Sequence, residues 1–130
     1  MIAVDTNVVV CLLTGDDHRQ AVRAKRLFEA EEIWLPKTVM LESEWVLRRL
    51  YRRDRGQVVE ALIALAALPN VTCEDEAAVN DALDWALGGL DFADALHLAS
   101  AGSSRGFATF DGKLAKRSKS VSAKIVVTKL

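Results

Sequence analysis

At 130 residues, 51% hydrophobic and 27% charged, the chain has room for one sizeable core and the make-up of an ordinary globular domain, not a disordered or fibrous one. A formal net charge of −1 argues against a polycation, so any nucleic acid must be held by local basic patches. Cys11 and Cys73 sit in apolar runs without a CxxC partner, no basic leader opens the chain and no run is long enough to cross a membrane; a cytoplasmic, membrane-free protein is expected.

Ile2, Ala3 and Val4 form a short apolar run of the kind a fully buried strand uses, and Asp5 ends it. Residues 7–13 read as a short helix stopping near Gly15. Asp16 and Asp17 offer an N-cap for a helix over 18–30, with Ala21, Ala24, Leu27 and Phe28 at helical spacing. A strand over 33–35 closes at Pro36. Thr38 is the expected cap of a helix running to about Arg53, and a second apolar helix over 57–68 stops at Pro69. A strand over 71–73 follows. Asp75 caps a helix over 77–87, and Asp91 opens an alanine-rich helix to about Ser103. A strand over 107–109, a turn and short helix over 111–116, and a last strand over 124–128 complete the chain. Short apolar strands alternating with helices predict an α/β fold. The expected layout is a doubly wound parallel sheet of about five strands with helices on both faces, in a single domain over 1–130.

In such sheets ligands bind at the carboxyl ends of the strands. Asp5 ends the first strand there, although an Asx-turn is the plain alternative. Asp111 stands just past another strand, with a simple Asp-Gly turn as its alternative. Asp91 reads as a helix cap, whereas Asp94 shares a helical face with Leu98 and Ala101 and can point inward. Glu44 precedes Arg48 by four residues, the favoured order for a solvated ion pair. Glu42 lies at the margin of a Val39–Val46–Leu50 apolar arc, where a carboxylate is costly to bury alone. Asp5, Glu42, Asp94 and Asp111 can thus meet in one crevice. Meeting without a cation, they would repel and some would protonate. Oxygen-only ligands suit Mg²⁺ or Mn²⁺. Zinc is disfavoured, since His18 and His97 lack companions at ligand spacing; His97 is expected to be packed and His18 at the surface.

These residues resemble a known family. Val4-Asp5-Thr6-Asn7, Glu42-Ser43-Glu44-Trp45-Val46-Leu47, the run Asp91-Phe92-Ala93-Asp94-Ala95-Leu96-His97-Leu98-Ala99 and Ala108-Thr109-Phe110-Asp111 are similar in order and spacing to PIN-domain ribonucleases. Among these the chain looks most like the VapC toxins of bacterial toxin–antitoxin pairs. The resemblance implies a metal-dependent endoribonuclease with a Rossmann-like sheet, forming homodimers and inhibited by a cognate antitoxin. It also implies that Asp5, Glu42, Asp94 and Asp111 are the acidic quartet, with Asp5 and Asp94 as main metal ligands; in the mechanism expected from this, Asp111 adds a ligand or binds through water. The loop before Asp91, Leu87-Gly88-Gly89-Leu90, is short beside the family's usual connection.

An acidic pocket repels RNA, so basic surface must offset it. Arg48, Arg49 and Arg52 on one side, and Lys113 and Lys116 after Asp111, are the candidates; solvated helix ends with a favourable dipole contact explain them equally well. Leu41 and Trp45, with an apolar helix over 57–68, carry more hydrophobic surface than one sheet face needs. A dimer or antitoxin surface and a two-helix arm packed on itself account for it equally. Two other functions compete. One is a non-catalytic PIN-like interaction module. The other is a receiver-like phosphoacceptor, to which Lys129 lends superficial support, but a receiver needs an acidic pair after the first strand where this chain has one Asp.

Overall fold

The computed structural model describes residues 1–121 and 123–130, which fall into two units, Met1–Glu76 and Ala77–Leu130. The first holds β1 (Ile2–Ala3), α1 (Thr6–Thr14), α2 (His18–Ala30), β2 (Ile33–Leu35), α3 (Lys37–Arg49), α4 (Arg55–Ala66) and β3 (Val71–Cys73). The second follows with α5 (Glu76–Leu87, starting at the boundary), α6 (Phe92–Ala99), β4 (Phe107–Thr109), α7 (Gly112–Ser120) and β5 (Val127–Lys129). Every strand pair is parallel, as helical crossovers require.

The five expected strands are present, hydrogen-bonded as a three-stranded sheet in the order β1-β2-β3 and a two-stranded sheet, β4-β5. At two or three residues each, they offer few ladder bonds. In the first sheet β2 is central and fully paired: Ile33 faces Ile2 on one side and Val71 on the other. Ile33 and Leu35 are wholly buried. β1 is the edge strand, so the expectation of a fully buried first strand is corrected: Ile2 and Ala3 are exposed, and burial begins at Val4. The first unit's core gathers Val9, Ile33, Leu35, Met40 and Leu62; the second packs Val79, Leu83, Phe92, Ala95 and Leu96. Each large side chain so buried contributes about 1.5–3 kcal/mol.

Local chemistry sets the boundaries. The Asp17 side chain accepts the Gln20 amide proton at 3.0 Å and starts α2 where expected. Gly15 ends α1 in the left-handed conformation at φ +66°, its N–H donating to the Cys11 carbonyl at 2.9 Å. Thr38 is not the cap of α3. The helix starts one residue earlier behind Pro36, which offers no side-chain bond. Instead the Lys37 N–H donates to Glu74 Oε1 at 2.8 Å and its ammonium to Asp75 Oδ2 at 3.1 Å, which also accounts for Asp75. Likewise α3 ends at Arg49 rather than near Arg53, because Asp54 caps α4 by accepting from Gln57 N–H. Val58, Val59, Leu62 and Leu65 of α4 are buried, with α4 packed on α3 and β3, so most of the apolar surface expected there is used within the unit. Trp45 and Leu50 stay exposed.

Candidate active site

In the second unit, one acid positions the next. Asp91 caps α6: its Oδ2 accepts the Asp94 N–H at 3.2 Å. That sets Asp94 in the first helical turn, where aligned amide dipoles favour negative charge. Asp94 is nonetheless half-buried, and its carboxyl is held above the ordinary aspartate range. Burial is the main cause, the negative charges of Asp91 and Asp111 add to it, and His97 offsets only part. Asp111 arrives from the end of β4. Its N–H donates to Thr109 Oγ1 at 3.0 Å, and its Oδ1 accepts from Lys113 and Leu114 N–H at 2.9 and 3.2 Å, starting α7. A strand end and a helix start thereby bring Asp94 and Asp111 within electrostatic reach of each other. Among the described residues no ion pair reaches either.

In the first unit, Asp5 ends the β1 segment and caps α1, its Oδ1 accepting the Thr6 N–H at 2.8 Å. Asp5 is exposed, and so is Glu42 on α3. The carboxylate that α3 does bury is Glu44, at 3% exposure. Arg48 grips it, with Nε donating to Oε2 at 2.8 Å and Nη2 to Oε1 at 3.4 Å. The pair is the expected one, but it is buried rather than solvated. The buried arc of α3 is Met40, Ser43, Glu44 and Leu47, one residue out of step with the Val39–Val46 arc. Both arcs have helical spacing, and the polar Ser43 and Glu44 disguised the true one. Arg48 is therefore largely withdrawn from the basic run, whereas Arg49, Arg52, Lys113 and Lys116 are exposed. His97 is also exposed, not packed, and His18 is at the surface.

Among the described residues, two buried hydroxyls, Thr6 Oγ1 and Ser43 Oγ, have no hydrogen-bond partner. Each is the sequence neighbour of a candidate acid, Asp5 and Glu42. Burial pushes the Cys73 thiol up, with the Glu76 charge adding to it, which keeps that sulfur protonated and unreactive.

Among the described residues no group of three or more His, Cys, Asp or Glu side chains is arranged to hold a metal ion. The donor chemistry of the second unit still fits a hard divalent cation. Its carboxylates are oxygen donors, and the like-charge crowding at Asp94 is what such an ion relieves. Comparison with known proteins bears on the same residues. The family model described as PIN domain matches residues 2–120, a span that includes all four candidate acids. No curated protein and no solved structure matches the chain.

Proposed function

The chain belongs to the PIN domain family, and on that footing we propose that it is a metal-dependent endoribonuclease, the toxin of a toxin–antitoxin pair. The family accounts for the α/β fold and for nuclease-type hydrolase chemistry at the coarse level. The observation that supports metal dependence is the raised carboxyl of Asp94, which is held up first by burial and then by the charges of Asp91 and Asp111, a cost that a bound cation would relieve. Under this reading the whole span acts as a single domain. Asp5 and Asp94 would hold a Mg²⁺ or Mn²⁺ ion, and Asp111 would add an oxygen directly or through water. When bound, such an ion lowers the pKa of a water and stabilises charge on the phosphoryl oxygens.

The remaining roles belong to the chain itself. Glu42 would complete the shell or orient the attacking water. The α6 cap holds the Asp94 backbone N–H in the first helical turn, and the α7 cap fixes the Asp111 carboxylate through one oxygen, so the latter is oriented before substrate arrives. Exposed Arg49, Arg52, Lys113 and Lys116 would contact phosphates.

The test is cleavage of RNA by the purified protein with Mg²⁺ or Mn²⁺, with and without EDTA, beside Asp94→Asn. Loss of the ion or of this carboxylate should lower the rate at least ~100-fold, since metal stabilisation is worth several kcal/mol. Cleavage that persists in EDTA ends the proposal. A non-catalytic interaction module is the second reading, favoured by the lack of a three-ligand cluster among the described residues. Absence of any RNA cleavage with metal present would select it.

The finer partner assignments are a cognate antitoxin and a second copy of the chain, with exposed Trp45 and Leu50 as apolar contacts. Light scattering of the isolated chain tests the homodimer, and a stable monomer argues against it. No helix among the described residues is long and apolar enough to cross a membrane. A cytoplasmic location is proposed from the two free thiols.

A further inference from the structure

We propose that a cavity at the entry to β4 and β5 is a second ligand site, suited to a nucleoside monophosphate and separate from the carboxylates of Asp94 and Asp111. The inference goes beyond the ribonuclease reading and does not rest on it. The cavity has a volume of about 280 Å³ and lies wholly within the second unit. Asp81 and Trp85 of α5, Leu98 of α6, Ser104 and Arg105 ahead of β4, and Lys124 ahead of β5 line it. Asp111 follows β4 and Asp94 sits in the first turn of α6, so both acids stand at the other ends of elements that border the cavity. The three residues of β4 alone span roughly 10 Å.

Backbone bonds hold the walls. Gly102 takes the left-handed conformation at φ +62° just past α6, and the Ser104 N–H donates to the Ala101 carbonyl at 3.1 Å. This turn leads the chain to Arg105 and into β4. The Phe107 N–H donates to the Val126 carbonyl at 2.9 Å, which ties the segment bearing Arg105 to the segment bearing Lys124.

The lining has the chemistry of a single nucleotide. Two cations on one cavity repel each other, and among the described residues no ion pair joins either to an acid. A phosphate monoester carries close to two negative charges at neutral pH and answers both, with the Arg105 fork matched to two of its oxygens. Trp85 is half-buried there, and stacking on an aromatic side chain takes up a base of any identity. Asp81 repels phosphate but accepts hydrogen bonds, which ribose hydroxyls and base amino groups supply. Inorganic phosphate leaves the indole and this carboxylate unused, and an uncharged aromatic leaves the cations unused. The volume is near the lower end for ligand pockets, ~300 Å³, which suits one nucleotide and not a dinucleotide.

The test is equilibrium dialysis of the full chain in EDTA, so that no ion bridges phosphate to the acids. The probes are AMP, UMP, adenosine, inorganic phosphate and a 5′-phosphorylated trinucleotide of adenosine. AMP and UMP should bind, and adenosine and inorganic phosphate should bind at least ~10-fold more weakly, each lacking part of the ligand. Arg105→Gln and Lys124→Gln should each weaken AMP roughly 10- to 150-fold, the range of a charged hydrogen bond. Their unfolding temperatures should be unchanged, because both side chains are exposed. Trp85→Ala should weaken AMP roughly 5- to 150-fold, and Trp85→Phe much less. The trinucleotide distinguishes two sources of the same chemistry: binding equal to that of AMP assigns the site to a phosphorylated RNA end, and no binding assigns it to a free nucleotide. Absence of AMP binding overturns the inference. Inorganic phosphate binding as tightly as AMP overturns it too, as does an AMP affinity that survives Arg105→Gln and Lys124→Gln combined. AMP binding lost in Asp94→Asn but kept in the cavity variants places the nucleotide at the acids and also overturns it. None of these readouts involves RNA cleavage, so the ribonuclease reading stands or falls separately.

Discussion

The two units treat a buried carboxylate in opposite ways. In the first, Glu44 is taken out of water and answered at once by Arg48 on the next turn of the same helix, through two hydrogen bonds. In the second, Asp94 is half-buried, and its nearest charges include two further carboxylates. One arrangement is complete as it stands. The other is electrostatically unfinished, and a protein that keeps such a site pays for it in stability. The contrast separates an acid answered by a cation on its own helix from one whose neighbouring carboxylates add to the cost of its charge, which residue type and burial alone do not.

The comparison can be broken by substitution. Arg48→Met should have the largest effect, about 3–5 kcal/mol lost in urea unfolding, because Glu44 is left buried and unpaired. Replacing both partners together with Glu44→Leu and Arg48→Met should recover most of that loss. If Arg48→Met alone is mild, the pair is not the closed system described. Next comes the ion. Mn²⁺ at a hundred times its Kd should stabilise the protein by about 2.7 kcal/mol in thermal unfolding, and should not stabilise Asp94→Asn.

The same variant sharpens the contrast without metal. Asp94's carboxyl is raised, so the folded chain holds its proton more tightly than the unfolded chain does. Its contribution to stability is complete below the ordinary value of 3.8 and is lost as pH rises through the raised value. At neutral pH Asp94→Asn should therefore unfold at a higher temperature than the metal-free parent, and the gap should close as pH falls below 3.8. A gap that widens on acidification contradicts the crowding. The smallest effect belongs to the first unit's frame: Gly15→Ala meets open space but a left-handed backbone, and should cost about 1 kcal/mol with no change in metal response.

Much of this could be read from residues in order. Asp17 and Asp91 stand before apolar periodicity and do cap helices. Ile33 and Leu35 alternate with Trp34 and are the central strand. Asp111 follows a strand and begins a helix, because one carboxylate satisfies two orphan amides there. Other features depend on partners distant in the chain. Thr38 has the right chemistry for a cap, but Glu74 reaches the amide of Lys37 from 37 residues away and fixes an earlier start. Glu44 looked solvated because ion-pair spacing says nothing about which side of the helix is covered. Ile2 and Ala3 looked buried because apolar runs do not say whether a strand is central or at an edge.

The Asp111 cap has one more consequence. Both amide protons go to Oδ1, which leaves Oδ2 outside that pair of bonds. The side chain's rotamer is locked by the helix it starts, so a cation would meet an oxygen already aimed and would forfeit little torsional freedom in taking it. Substitution by asparagine preserves the carbonyl that receives the two amides while exchanging the other oxygen for an amide nitrogen. That single isosteric change separates scaffold from chemistry, which deletion to alanine at the same position cannot do.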